Sequence, residues 1–232
     1  MTIRTQVERS EKSRQQILDA ALELFSHKGY GATSVQDIAT AAGISKGNLY
    51  HHFPEKETIF RALLDRYFAA LSDPEFPFNR ALATGTFPEN LEDLGRAARD
   101  MVSEYREYVT LIYVDVVEFE ASHVRKFYAE MANRFDAFIK AQGMEKELEG
   151  KLAEGLSPRS AMMLATRVFF NYYSVEIVFG VRDHFGRKSD VALNEITRIL
   201  RHGMLRNDVA PVARTTGAKK VANRSRGAKA KR

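Results

Sequence analysis

Between Ser34 and Pro54 the chain encodes two helices too short to stand alone, joined by a turn centred on Gly43. Ser34 is a good cap for the first, and Asp37 sits three residues on, where an acid favours the positive helix end. Val35, Ile38, Ala39 and Ala42 form one apolar face, and Gly43 follows where a helix ends in a left-handed residue. Ser45 then caps a second run, Lys46 to Phe53, which Pro54 stops. Isolated helices are marginal in water below roughly 12–15 residues, so each of these must lean on the other and on its flanks. Ala39 and Ala42 permit a close crossing, Gly43 a sharp turn, and Ile44 and Leu49 fill the angle between the helices. These are the dimensions of a helix-turn-helix. Its second helix projects Lys46, Gly47, Asn48, Tyr50 and His51 outward. The N-terminal end of such a helix fits a DNA major groove, with Lys46 and Asn48 set to meet base edges or phosphates and Gly47 allowing close backbone approach. The free N–H groups at the helix starts of Ser34 and Ser45 are natural phosphate partners.

The flanks fit this reading. Ile17, Ala21, Leu24 and Phe25 share one helical face, with Ser13 and Gln16 a capping pair near its start and Gly29 and Gly31 bracketing Tyr30 at its end. A further helix, Glu55 to Leu71, presents Ile59, Phe60, Leu63, Leu64 and Tyr67 inward. Plainer roles compete at several positions. Phe53 reads as core, whereas Tyr50 faces away from Leu49 and reads as surface. His51-His52 does not chelate a metal, because adjacent residues on a helix point about 100° apart. Lys56 would be a solvated lysine in most settings; beside the second short helix it becomes a phosphate contact.

The run ATSVQDIATAAGISKGNLYHHFPEKETIFRALL, with ILDAALELFSHKGY before it, resembles the DNA-binding domain of the tetracycline-repressor (TetR-type) family of bacterial regulators. The matching signature covers Ile17 to Leu64. The resemblance implies that Ser45–Phe53 is the recognition helix. It implies phosphate contacts from Thr33, Lys46, Tyr50, His51 and Lys56, and base contacts from Ser45 to Asn48 and His51.

The rest of the chain reads as a second helical unit. Residues 72–90 contain Pro74, Pro77, Pro88 and Gly85 and read as a connection, after a flexible start at 1–12 and a DNA-binding unit at 13–71. Residues 91–206 carry long amphipathic patterns: Met101, Tyr105, Tyr108 and Ile112 on one face, then Phe127, Met131, Phe135, Phe138 and Ile139 on another. The run Val109 to Val117 has strand-like composition, but Asp115 and Glu118, three apart, decide for helix. Ser157-Pro158 starts a helix that stays apolar almost all round from Met162 to Val181 and so must be buried on several sides. A last helix runs from about Asp190 to Leu205. The expected fold is therefore all-α: a three-helix helix-turn-helix domain followed by a C-terminal helical bundle that forms a dimer.

In the resembling family the last two helices build the homodimer, which here points to Phe170, Ile177, Ile196, Ile199, Leu200 and Gly203. The family also places an effector pocket in this domain. Candidates to line it are Tyr105, Tyr108, Tyr113, Phe127 and Met131, with Met162, Phe169, Tyr173 and Glu176 from the later helices. Glu176 is the least core-like of these, since a buried carboxylate needs a partner.

Charge adds less than the net +5 suggests. Residues 206–232 hold nine Lys or Arg against one acid, a net of +8, which leaves −3 for the rest. Residues 1–60 balance seven bases with seven acids. The basicity belongs to a tail at 207–232, low in large apolar residues and read as disordered. The absence of cysteine excludes disulfides and thiolate metal sites. No signal peptide or spanning segment is legible at the N-terminus or elsewhere, which suggests a cytoplasmic protein. No nucleophile–base motif, phosphate loop or metal spacing suggests an enzyme, and no cofactor is called for. The expectation is a DNA-binding transcriptional regulator, released from a palindromic operator by a small-molecule effector. The alternative is a constitutive DNA-binding regulator or activator whose basic tail adds non-specific affinity.

Overall fold

The computed structural model describes residues 6–84 and 86–205. The basic tail expected at 207–232 lies outside the described residues. Within them the chain is all-helical, with a single isolated bridge between Leu152 and Leu205. The first helix, α1 (Gln6–Lys28), starts well before Ser13, so residues 6–12 are helical rather than frayed and the Ser13–Gln16 pair falls inside the helix. The short helices follow as α2 (Val35–Ala41) and α3 (Lys46–His52). Ser34 and Asp37 form a reciprocal capping box: Ser34 N donates to Asp37 Oδ2 at 2.9 Å and Asp37 N to Ser34 Oγ at 3.1 Å. Ser45 Oγ accepts from Asn48 N at 3.1 Å. Gly43, at φ +67°, makes the turn that a side chain would strain. Helix α4 (Lys56–Ser72) completes the N-terminal unit.

Two cores hold the molecule, and their border differs from the one expected at residues 72–90. The first core gathers Ile17, Phe25, Ile38, Leu49, Ile59, Phe60 and Leu63, but it also takes Val109, Leu111 and Ile112 from α7 (Arg106–Glu118) and Val124 from the start of α8 (Val124–Ala141). The segment between 72 and 90 is not a bare connection. It contains α5 (Pro77–Thr84), and Phe76, Phe78, Leu82 and Phe87 are buried in the second core. Its prolines stop and start helices without excluding one, Pro77 being the first helical residue.

The second core joins α5 to α6 (Leu91–Glu104), the short α9 (Glu145–Lys151), α10 (Pro158–Tyr173) and α11 (Ser189–Met204). The single face expected from Met101 to Ile112 is broken at Tyr105, which caps the end of α6 and the start of α7 with φ −103° and ψ 25°. That joint sends Met101 into the second core and Tyr108 and Ile112 into the first. Ser157 caps α10, accepting from Ser160 N at 3.2 Å, and α10 gives way at Ser174–Val178 to a π-helical turn. The apolar circumference expected from Met162 to Val181 is only partly buried. Phe169 and Tyr173 lie in the core, while Leu164 and Phe179 are about half exposed, at 49% and 54%.

Gly95 is the tightest helix contact. A Cβ there would stand 2.3 Å from Leu193 Cδ1 and 3.0 Å from Phe169 Cε1, so α6, α10 and α11 can meet only because this side chain is missing. Both neighbours are buried, and overpacking of such a site costs about 1–3 kcal/mol, more than the ~1 kcal/mol of helix propensity that alanine would gain. Gly95→Ala is therefore expected to lower the thermal midpoint by a few degrees in a calorimetric scan; an unchanged or raised midpoint would show that the three helices are not in this register.

Candidate nucleic-acid interface

Helix α3 is anchored by one residue and presents the others. Leu49 is fully buried, Phe53 nearly so, and Ser45, Lys46, Gly47, Tyr50 and His51 are exposed, with Asn48 half-buried. Lys46 Nζ stands 5.8 Å from the centroid of the Tyr50 ring, so the two form a cationic, flat surface on the outward side of the helix. The first turn of α3 carries no acid, and a Cβ on Gly47 would meet nothing within 4 Å, so backbone can be approached closely here. The His51 and His52 rings are 5.4 Å apart and edge-to-face. Burial, then the neighbouring His51 and Arg14, hold the His52 imidazole below its ordinary value. This surface can offer charge, hydrogen bonds and a stacking face to a phosphate backbone and groove.

Three of the expected contacts are committed elsewhere. Thr33 is buried, its hydroxyl donating to Gly29 O at 2.8 Å, so its side chain fixes the turn after α1 instead of facing outward. Ser34 Oγ donates to Asp37 Oδ2 at 2.7 Å while accepting from Asp37 N, and those hydrogen bonds hold the Asp37 carboxyl below its usual range. The Ser34 hydroxyl and amide are thus engaged by the carboxylate of their own helix. Lys56 donates to Tyr30 O and Thr33 O, both at 2.8 Å, with its ammonium 4.0 Å from the Tyr30 ring centroid. Burial lowers its pKa. It ties α4 to the α1–α2 turn, which is a structural task.

Other residues at this end carry no signal in the sequence. Arg14 on α1 lies 5.2 Å above the Phe53 ring, placing a guanidinium beside the end of α3. A polar and aromatic junction joins the unit to the helices behind it. The Phe119 ring packs 4.6 Å from Tyr30 and 4.9 Å from Phe60. Glu118 accepts from Gly31 N at 3.3 Å. Asp115 is fully buried and accepts from His123 Nδ1 at 2.6 Å and from Val124 N at 3.1 Å, while His123 Nε2 reaches Glu57 of α4 at 3.5 Å. The two acids that suggest a helix between Val109 and Val117 are thus the means by which α7 is joined to its neighbours.

The residues expected to line an effector pocket do not converge on one cavity. Met162, Phe169 and Tyr173 lie in the second core and Tyr108 in the first. Tyr105 is wedged between them, 5.7 Å from Tyr67 and 5.4 Å from Phe76, ring to ring. Tyr113 packs on Phe179, and Met131 is half-buried on α8. Glu176 has the partners a sheltered carboxylate needs: Tyr172 donates to it at 2.9 Å and Ser189 at 2.8 Å. Phe127 lines a cleft of about 290 Å³ between α4 and α8, and a second cleft of about 270 Å³ lies beside Arg167, Tyr172 and Phe185. Of the expected dimer residues, Ile196 and Leu200 are buried within the chain and unavailable to a partner, because α11 turns that side toward α6. Phe170 and Ile177 are half-buried, Ile199 is 69% exposed and Gly203 is exposed.

Residues 17–63 match the family model described as bacterial regulatory proteins, tetR family. The transcriptional repressor KstR2 of Mycobacterium tuberculosis is 34% identical over 125 residues, 52% of this chain and 59% of that protein. The uncharacterised regulator YuxN of Bacillus subtilis is 35% identical over 102 residues, 44% of this chain and 30% of that one. The matches thus span about a third to three-fifths of these relatives. The fold is similar over most of its length to NalD, the secondary repressor of the MexAB-OprM multidrug efflux pump in Pseudomonas aeruginosa. That match has a TM-score of 0.60 and 22% identity, covering 86% of this chain and 99% of the other.

Because Lys56 bridges two carbonyls, Lys56→Met is expected to destabilise the chain by roughly 1–3 kcal/mol in urea unfolding, the cost of leaving those acceptors without a charged donor. A stability equal to that of the unaltered chain would return Lys56 to the list of free phosphate contacts.

Proposed function

Starting from a chain that belongs to the tetR family of bacterial regulatory proteins, we propose that it is a homodimeric transcriptional repressor that leaves a palindromic operator when a small molecule binds. The observation that carries the DNA-binding part is the outward face of α3, with Lys46 stacked toward Tyr50, open backbone at Gly47 and Leu49 locked in the core beneath. Ser45, Lys46, Gly47, Asn48, Tyr50 and His51 are the contacting residues, joined by Arg14 at the end of the helix. Thr33, Ser34 and Lys56 hold the unit together through their hydrogen bonds to it.

The dimer reading is supported by exposed apolar side chains on the last elements. Leu164 on α10, Phe179 and Val181 after the π-helical turn, and Val191 and Ile199 on α11 are each 46% exposed or more. Large apolar residues gathered on consecutive helices favour association. A two-fold pair sets two α3 helices against successive major-groove half-sites about one turn or a multiple apart. Effector control draws support from AibR, a fold relative at TM-score 0.54 and 20% identity whose structure holds isovaleryl coenzyme A and operator DNA. No helix among the described residues is long and apolar enough to cross a membrane, and the proposed place of action is the cytoplasm.

Genomic fragments selected by the purified protein should contain an inverted repeat. Lys46→Ala and Tyr50→Ala should each weaken binding to it about tenfold or more, with thermal midpoints unchanged because both side chains are exposed. Selection of no sequence, or full affinity in both variants, would refute the assignment. Ile199→Arg should shift the protein from dimer to monomer in light scattering; a dimer that survives it would place the interface on another face.

A further inference from the structure

We propose that the cleft on the outward side of α10, beside the loop at 179–188, binds a single-ring aromatic monocarboxylate. The inference goes beyond the regulator reading, because no residue that lines this cleft belongs to α1–α4. The lining residues are Arg167, Val168, Asn171 and Tyr172 of α10, with His184 and Phe185 of the loop. At about 270 Å³ the cleft lies just under the ~300–1,000 Å³ typical of small-molecule sites, so its occupant is one ring with its substituents.

The charge of the cleft is fixed and single. Arg167 is the lining residue with a permanent charge, and among the described residues no acid lines the cleft. Among those residues Arg167 also has no ion pair and no hydrogen bond; its guanidinium stands 5.8 Å from the centroid of the Tyr128 ring. The other arginine of α10, Arg159, is by contrast paired with Asp136 at 2.7 Å. An unengaged guanidinium presents a planar fork of donors, which a carboxylate fits with two parallel hydrogen bonds. One fixed positive charge matches a monoanion better than a doubly charged phosphate. Asn171 stands one turn further along the same side, and its amide is likewise without a hydrogen bond among the described residues. His184 Nδ1 is buried with no partner. A hydrogen bond from that nitrogen to a carboxylate oxygen ends its isolation.

The apolar walls select a flat body. Tyr172 is buried and its hydroxyl is engaged by Glu176 at 2.9 Å, so what it brings to the cleft is its ring. The His184 and Phe185 rings stand 4.7 and 5.1 Å from it. A tight turn holds them there: Asp183 takes φ +52° and Gly186 +69°, and Gly186 N donates to Asp183 O at 2.7 Å. A non-glycine residue at positive φ persists only where its surroundings hold it, and such residues gather at ligand sites. The turn carries Phe185 to the cleft and yet leaves its ring half in water. A second ring laid against it covers that exposed apolar area in the offset or edge-on contact that aromatic pairs favour. An acidic side chain of a second copy carries the same charged group. Arg167 and Asn171 share the outward side of α10 with Leu164, so the test has to separate the two sources.

The test uses the full chain without DNA, with benzoate as probe and benzamide and inorganic phosphate as controls, read by calorimetric titration. The expected result is saturable binding of benzoate at one site per chain, with either control at least tenfold weaker. Arg167→Gln should weaken benzoate at least tenfold with an unchanged thermal midpoint, the side chain being exposed. Phe185→Ala should weaken it severalfold, whereas Lys126→Gln, at the cleft between α4 and α8, should leave affinity unaltered. No saturable binding at millimolar benzoate, equal binding of benzamide or phosphate, or full affinity in Arg167→Gln would overturn the inference. A dimer that Arg167→Gln converts to monomer in light scattering, with benzoate bound by neither form, assigns the cleft to a second copy and also overturns it. A chain that binds benzoate through Arg167 but selects no operator supports the cleft and sinks the regulator reading.

Discussion

The contact on which the arrangement depends is the packing of Phe119 between Tyr30 and Phe60, at the point where the α1–α2 turn, α4 and the α7–α8 turn meet. Aromatic pairs in such tilted and edge-on arrangements contribute about 0.5–1.5 kcal/mol beyond their burial. Here they also fix geometry. Lys56 holds the carbonyls of Tyr30 and Thr33 from one side, and Glu118 holds the Gly31 amide from the other. The turn that leads into α2 is therefore set by groups from α4 and α7 together. A seven-residue recognition helix has little stability of its own, so its direction is decided by this junction and by Leu49 beneath it.

The consequence is that the DNA-binding unit is not independent of the helices behind it. Four residues of α7, Tyr108, Val109, Leu111 and Ile112, belong to the same core as α1 and α4. Any change of packing that shifts α7 must shift α1 and α4, because close-packed interiors deform by discrete steps and do not yield continuously. The buried Asp115–His123 pair strengthens that constraint. A fully buried carboxylate requires its partners, and Asp115 has the imidazole and the Val124 amide at the start of α8. A short polar path, Asp115 to His123 to Glu57, thus joins α7 to the start of α8 and to α4.

Much of the N-terminal unit was legible in the sequence because its signals are local. Caps at Ser34 and Ser45, the turn at Gly43 and the buried period of Leu49 and Phe53 each depend on residues within four positions. The second half was less legible because its decisive contacts are long-range. Nothing near Tyr105 states that the helix breaks there, since an unbroken amphipathic face runs across the joint. The prolines of residues 72–90 hid a helix that begins on one of them. Ile196 and Leu200 carry the same pattern whether they meet α6 or a second chain, and only the fold assigns them inward while Ile199 points out. Periodicity identifies an apolar face but not the surface that covers it.

Two lysines ten residues apart show the same limit at a single residue type. Lys46 and Lys56 both sit in the first turn of a helix, and both appear in the sequence as cations beside a groove-binding element. Lys46 is exposed on a helix whose first turn has no acid, so its charge is available to a partner. Lys56 is drawn over the Tyr30 ring and toward two carbonyls, and the lost hydration lowers its pKa while the contacts keep it in place. Desolvation is what separates them: a hydrated ammonium can trade water for phosphate, whereas one already holding two backbone oxygens would have to release the turn that orients α3. A lysine can stay open to a partner or serve the helix beside it, and here Lys46 is exposed while Lys56 is committed to the turn.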